Sequence, residues 1–89
     1  MILKSLRREI NKIDRSIIRL LGTRMSVAKK IVNEKRKSGL PVISPGREKE
    51  VVEKWQELSL KYGLDSKFIG KLIRLIISES KKVQNEEFK

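Results

Sequence analysis

Residues Ser5–Lys37 read SLRREINKIDRSIIRLLGTRMSVAKKIVNEKRK, and this stretch decides the fold. It holds no proline and a single glycine, Gly22. Apolar residues fall at Leu3, Leu6, Ile10, Ile13, Ile17, Leu20, Val27 and Ile31. Their steps of three and four describe one helix that buries a narrow seam against partner helices. Ser5 can cap it and Ser38-Gly39 can end it, so the spacing predicts a helix over residues 5–38. At ~1.5 Å rise per residue it is roughly 50 Å long. One step in the rhythm is wrong: between Leu20 and Val27 the seam calls for an apolar residue and the chain supplies Arg24. The same face continues through Ala28 and Ile31 to Lys35. Two cations on an apolar stripe require an anionic partner, because burying an unpaired charge is very costly.

Working outward, Gly22 inside the helix costs about 1 kcal/mol relative to alanine, and close approach of another helix is its reading. Leu40-Pro41-Val42-Ile43 is expected to be an apolar loop packed on the core. Ser44-Pro45 starts a second helix, with Ser as cap and Pro at its first position. That helix runs over 45–62 to Gly63, with Val51, Val52, Trp55, Leu58 and Tyr62 on its apolar face and Glu48 at the edge of that face. Asp65 or Ser66 caps a third helix over 66–84, whose face is Ile69, Leu72, Ile73, Ile76 and Ile77 and then Ser80 and Gln84. The tail from Asn85 to Lys89 is expected to fray. The fold class is all-α, a single domain over 1–89 with three helices and a very long first one. A compact domain of this size has a radius of gyration of about 12 Å, which such a helix overshoots. Another chain must therefore cover part of the seam, and a homodimer with the long helices side by side is expected.

The chain contains neither cysteine nor histidine. That excludes metal sites built on those residues and Ser-His-Asp or Cys-His nucleophilic chemistry. No apolar run is long enough to span a membrane, and the opening Met1-Ile2-Leu3-Lys4 is too short for a signal peptide, so a cytoplasmic location is expected. Twenty-two basic residues against 11 acidic ones give a net charge of +11. Taken alone, this excess is compatible with a solvated lysine-rich surface, a nucleic-acid partner or an anionic small substrate. The richness in Lys, Arg, Glu and Ile also suits a heat-adapted protein.

Each helix carries polar groups on its inward face: Arg24 and Lys35 on the first, Glu48 on the second, Ser80 and Gln84 on the third. Each has an ordinary explanation taken singly. Arg24 can snorkel to a helix edge, Lys35 can face solvent with Arg36 and Lys37, and Glu48 can complement a helix N-terminus. Ser80 can bond a backbone carbonyl, and Gln84 can lie past the packed region. Together they fall at the ends of apolar faces that must meet, and a pocket between bundle helices is a common ligand site. Two cations, one anion and neutral donors suit a small dianion carrying a hydroxyl.

The ordered set of residues resembles a known family. Leu6-Arg7-Arg8-Glu9-Ile10-Asn11-Lys12-Ile13-Asp14 looks like the L-R-x-x-I-x-x-I-D opening of the all-helical chorismate mutases, and Leu20-Leu21-Gly22-Thr23-Arg24-Met25 like their L-L-x-x-R-M. Lys35, Pro41-Val42, Arg47-Glu48, Gly63-Leu64-Asp65, Ile76-Ile77 and Ser80-x-x-x-Gln84 follow in the family's order, so the resemblance covers residues 6 to 84. It implies a domain-swapped homodimer that rearranges chorismate to prephenate in aromatic amino-acid biosynthesis, without a cofactor or metal. It also leaves room for docking to another enzyme of that pathway. By the same resemblance Arg24 binds one substrate carboxylate, and Arg7 reaches the other from the partner subunit. Lys35 and Gln84 flank the ether oxygen, Glu48 accepts from the substrate hydroxyl, and Arg47 and Ser80 complete the shell. Ser44 stands where the family often has Asp; either residue caps a helix, and Ser44 is a further contact candidate.

These residue types suit a pericyclic rearrangement, which needs no nucleophile or proton shuttle. Two competing readings stand beside it, and a third, a non-catalytic structural dimer, leaves Arg24 unexplained. One is isochorismate pyruvate lyase, which shares the fold and uses similar cations. The other is a basic helical dimer on nucleic acid, drawing on Lys67, Lys71, Arg74 and Lys81 along the outer side of the third helix. The aromatics Trp55, Tyr62, Phe68 and Phe88 do not interleave with a basic cluster as a stacking platform would, which argues against it.

Overall fold

The computed structural model describes residues 1–42 and 44–86, the side chain of Glu86 excepted. It contains three helices, α1 (Ile2–Ser38), α2 (Pro45–Lys61) and α3 (Ser66–Glu86), and no strand among the described residues. None of these helices is long and apolar enough to cross a membrane.

α1 starts earlier than its spacing suggests. Ser5 is not its cap: the Ser5 N–H already bonds the Met1 carbonyl at 3.2 Å, inside the first turn. Nothing in Ile2-Leu3-Lys4 breaks a helix, so the ladder extends past the serine. At the other end Gly39 takes the left-handed conformation, φ 69°, as anticipated. The Leu40 N–H then returns to the Lys35 carbonyl at 2.9 Å, and this closing turn reverses the chain toward α2. Ser44 occupies the cap position of α2 and Pro45 its first turn, although the Ser44 side chain makes no capping hydrogen bond. Gly63, φ 68°, ends the α2 region. Asp65 caps α3 by accepting the Lys67 N–H at 3.1 Å. α3 continues through Glu86, so Asn85 belongs to the helix; the expectations for Ile43 and for the tail past Glu86 lie outside the described residues.

α3 is the central element, packed on α2 along one side and on the C-terminal half of α1 along another. Arg24 meets Ser80 and Ala28 meets Gln84, so α1 and α3 run parallel and α2 runs against both. The buried core is Ala28, Val32, Ile69, Ile73 and Ile76. Ile69, Ile73 and Ile76 come from the predicted face of α3, and Ser80 at the end of that face is buried too. Gly70 lets α2 come close: a Cβ there would stand 2.8 Å from the Gln56 amide nitrogen, whose N–H donates to the Ser66 carbonyl.

α1 departs from its predicted seam. The stripe it turns toward α3 is Leu21, Met25, Ala28 and Val32, one residue on from the predicted positions and about 100° round the helix. The predicted seam stays open: Leu3, Leu6, Ile10, Ile13, Ile17 and Leu20 are each 50–57% exposed, and Val27 and Ile31 are 45% exposed. A Cβ at Gly22 would meet nothing within 4 Å, so the close approach expected there does not occur within the chain. Leu40 is exposed rather than packed on the core, and so are Leu58 and Tyr62 of the α2 face, because no third helix of this chain covers that end. The chain measures 57 × 25 × 16 Å with a radius of gyration of 16.3 Å, well above the ~12 Å of a compact domain this size.

Ile73 is fully buried at the centre of this arrangement. Ile73→Ala is expected to destabilise the fold by about 3 kcal/mol, read as a lower denaturant midpoint at fixed protein concentration.

Candidate active site

Arg24 and Lys35 lie eleven residues apart on α1, which returns them to within about 20° of the same direction and about 16 Å apart along the axis. α3 runs parallel beside this stretch, and the turn at Gly39 folds the start of α2 back over its end. The three elements enclose a cleft of about 280 Å³. Arg24 and Lys35 line it from α1, Ser44, Arg47 and Glu48 from the start of α2, and Ser80, Lys81 and Gln84 from α3. Val27, Ala28, Ile31, Val51 and Ile77 supply apolar walls.

Every site residue named from the sequence lines this cleft except Arg7. Arg7 is exposed on the open half of α1, seventeen residues or about 25 Å of helix before Arg24.

The hydrogen bonds are arranged so that donors outnumber acceptors. Arg24 Nη1 donates to Ser80 Oγ at 2.9 Å, and Ser80 Oγ donates in turn to Met25 Sδ at 3.6 Å. Lys35 Nζ donates to the Val42 carbonyl at 2.9 Å, a contact set up by the turn after α1. Gln84 Nε2 donates to the Ala28 carbonyl at 3.3 Å. An ammonium has three N–H groups and a primary amide two. Lys35 and Gln84 therefore each keep donor capacity that these contacts do not use. Among the described residues no carboxylate pairs with Arg24 or Lys35. Burial lowers the Arg24 pKa from its ordinary value and the nearby Arg47 cation lowers it further. Arg24 stays charged at neutral pH; the first cause is loss of solvation and the second is repulsion from a neighbouring cation. Arg47 meets Glu50 at 3.4 Å on the exposed rim.

Lys81 corrects the sequence reading. It was placed on the outer side of the third helix, yet it lines the cleft and pairs with Glu48 Oε1 at 2.7 Å. The signal was available: Lys81 follows Ile77 by four residues, so Ile77, Ser80, Lys81 and Gln84 share one face. Lys67, Lys71 and Arg74 remain exposed.

Fold and site together define a small helical-bundle domain with a cleft lined, among the described residues, by four cations and one carboxylate. Residues 6–85 match the model of the chorismate mutase type II family, and the chain belongs to that family. It is 29% identical over 84 residues to a chorismate mutase of Methanocaldococcus jannaschii, covering 94% of this chain and 85% of that protein. It is 40% identical over 78 residues to a bifunctional chorismate mutase/prephenate dehydratase of Buchnera aphidicola subsp. Schizaphis graminum. That match takes in 88% of this chain but spans only 20% of the relative's length. A 4-amino-4-deoxychorismate mutase of Streptomyces venezuelae is 28% identical over 83 residues, 93% of this chain and 81% of that protein.

A guanidinium held half-buried beside a second cation, with a hydroxyl as its hydrogen-bond partner among the described residues, works against the ligand-free fold. Arg24→Met is expected to raise the thermal unfolding midpoint of ligand-free protein in low-salt buffer by about 2–5 °C. A drop of that size would make the cation a structural element.

Proposed function

We propose that this protein rearranges chorismate to prephenate, in sites shared between two copies of the chain. The observation that carries the reading is the convergence of Arg24, Lys35 and Gln84 on one cleft with no described carboxylate on either cation. Family membership supplies the substrate.

The reaction is unimolecular: one carbon–oxygen bond breaks as a carbon–carbon bond forms, with no proton to move. The protein's work is to hold the substrate compact and to stabilise charge that develops on the ether oxygen. Clamping two carboxylates removes conformational entropy before the bond changes begin. Arg24 takes one carboxylate, with Arg47 beside it, and Ser80 keeps the Arg24 fork aimed into the cleft. Lys35 and Gln84 direct their remaining N–H groups at the ether oxygen, where the interaction is stronger in the transition state than in the ground state. Glu48 accepts from the ring hydroxyl, and Ser44 stands at the same rim. Apolar walls keep water from competing for these donors. The Buchnera relative's name joins this activity to a prephenate dehydratase, which supports a place directly ahead of an enzyme that consumes prephenate. A chain free of cysteine suits the reducing cytoplasm.

The open seam of α1 supports the shared site. Six large aliphatic residues from Leu3 to Leu20 are about half exposed along one face, and Arg7 sits among them. Antiparallel pairing of two such helices would bury both seams and bring the partner subunit's Arg7 toward the cleft, completing the dicarboxylate clamp.

Two experiments test this reading. Lys35→Ala is expected to lower kcat for loss of chorismate absorbance by at least about a hundredfold with the circular dichroism spectrum unchanged; a near-wild-type rate would remove Lys35 from the mechanism. Product analysis in the same assay, with isochorismate as a second substrate, distinguishes prephenate formation from pyruvate release. Arg7→Ala and Lys35→Ala chains, each nearly inactive alone, are expected to regain about a quarter of wild-type activity when unfolded and refolded together at equal concentration. Half of the dimers are then mixed, and one of the two sites in each mixed dimer is intact. Absence of any recovery would put Arg7 and Lys35 of one site on the same chain.

A further inference from the structure

The Glu48–Lys81 pair is the one carboxylate–ammonium contact that the described residues place in the cleft, and it divides two cavities. Glu48, Ile77 and Lys81 line the cleft holding Arg24 and Lys35. The same three residues line a second, more open hollow of about 600 Å³ between α2 and α3, together with Gln56 and Arg74. The pair is thus the partition between them. Lys81 Nζ stands 2.7 Å from Glu48 Oε1, with the two side chains 42% and 30% exposed. Among the described residues Glu48 is the only carboxylate on the cleft wall, against the cations of Arg24, Lys35, Arg47 and Lys81.

We propose that Lys81 is a specificity-determining residue, which makes the Glu48 subsite accept a ring hydroxyl and reject an ammonium in its place. The proposal rests on the reading of Glu48 as acceptor for the ring substituent. With Oε1 engaged by Lys81, Oε2 is left to accept from a ligand. A neutral hydroxyl donates one hydrogen bond to it and meets no charge penalty from Lys81. The analogue with an amino group at that ring position carries an ammonium near neutral pH. Its cation would stand within a few ångströms of Lys81, in a cleft already holding an excess of positive charge. Two like charges about 4–6 Å apart at a partly exposed site repel enough to change affinity by tenfold or more. Lys81 also fixes where the carboxylate points, since a charge-assisted contact of this length holds a side chain better than a neutral one. A carboxylate without the lysine would be an unpaired anion, well suited to an ammonium. One side chain thus converts an acidic subsite from cation-accepting to hydroxyl-accepting.

The test compares kcat/KM for chorismate and for 4-amino-4-deoxychorismate in the wild type, Lys81→Met and Lys81→Arg, with folding followed by circular dichroism. The wild type is expected to prefer the hydroxyl substrate. Lys81→Met is expected to shrink that preference at least about tenfold, chiefly by improving the amino substrate. Lys81→Arg, which keeps the charge and the contact to Glu48, is expected to retain it; general damage to the site would lower both substrates together and leave the ratio unchanged. A wild type active on chorismate whose preference is unmoved in Lys81→Met overturns the role of Lys81 alone. A folded wild type inactive on both substrates overturns the mutase reading, and this inference with it.

Discussion

The contact between Arg24 and Ser80 is the constraint from which the rest of the structure follows. It joins α1 to α3 through a guanidinium and a hydroxyl at 2.9 Å, at a point where a purely structural bundle would place two aliphatic side chains. A hydroxyl satisfies one of the five guanidinium N–H groups and neutralises none of its charge. Among the described residues no carboxylate pairs with Arg24, so a positive charge stands in the cleft with a neutral partner. Lys35 repeats the pattern one helical stretch later, donating to a carbonyl rather than to a carboxylate. Such an arrangement is the one expected of a site that uses a positive field to attract an anion, which is the reading proposed above.

α1 serves two surfaces at once. Its C-terminal half turns Leu21, Met25, Ala28 and Val32 toward α3, while Leu3 to Leu20 present a second apolar stripe that the described residues leave about half exposed. Arg24 lies where the two stripes meet. A helix with two apolar faces cannot satisfy both in a chain this short, and the elongated dimensions of 57 × 25 × 16 Å express that conflict. The same geometry leaves Arg7 about 25 Å of helix from Arg24. At that distance along a continuous helix Arg7 does not reach the cleft of its own chain, which is why the proposed clamp draws it from a second copy.

The acidic side of the cleft is as restricted as the basic side is generous. Among the described residues Glu48 is its one carboxylate, and it is already held by Lys81 at 2.7 Å. The lysine keeps a negative group in place without letting the cleft become attractive to cations. Specificity in such a site comes from which charges are already paired, more than from the count of contacts a ligand could make.

Much of this was legible in the sequence, and the limit falls at a physical boundary. Helix positions follow from local rules: the three-four spacing, Gly39 and Gly63 at positive φ, Pro45 in the first turn of α2, and Asp65 capping α3. Arg24, Lys35, Glu48, Ser80 and Gln84 were visible because each interrupts or ends an apolar stripe, and a stripe is a one-dimensional pattern. What the pattern leaves open is rotation. Residues 20, 27 and 31 and residues 21, 28 and 32 are both spaced for a helix face, and only packing against α3 decided that Ala28 and Val32 are buried while Val27 and Ile31 stay half open. Rotation of α3 about its own axis likewise brought Lys81 in from the supposed outer surface to Glu48. Periodicity determines which residues share a face; which face meets which is set by the competition among faces for a partner, and that competition exists only in three dimensions.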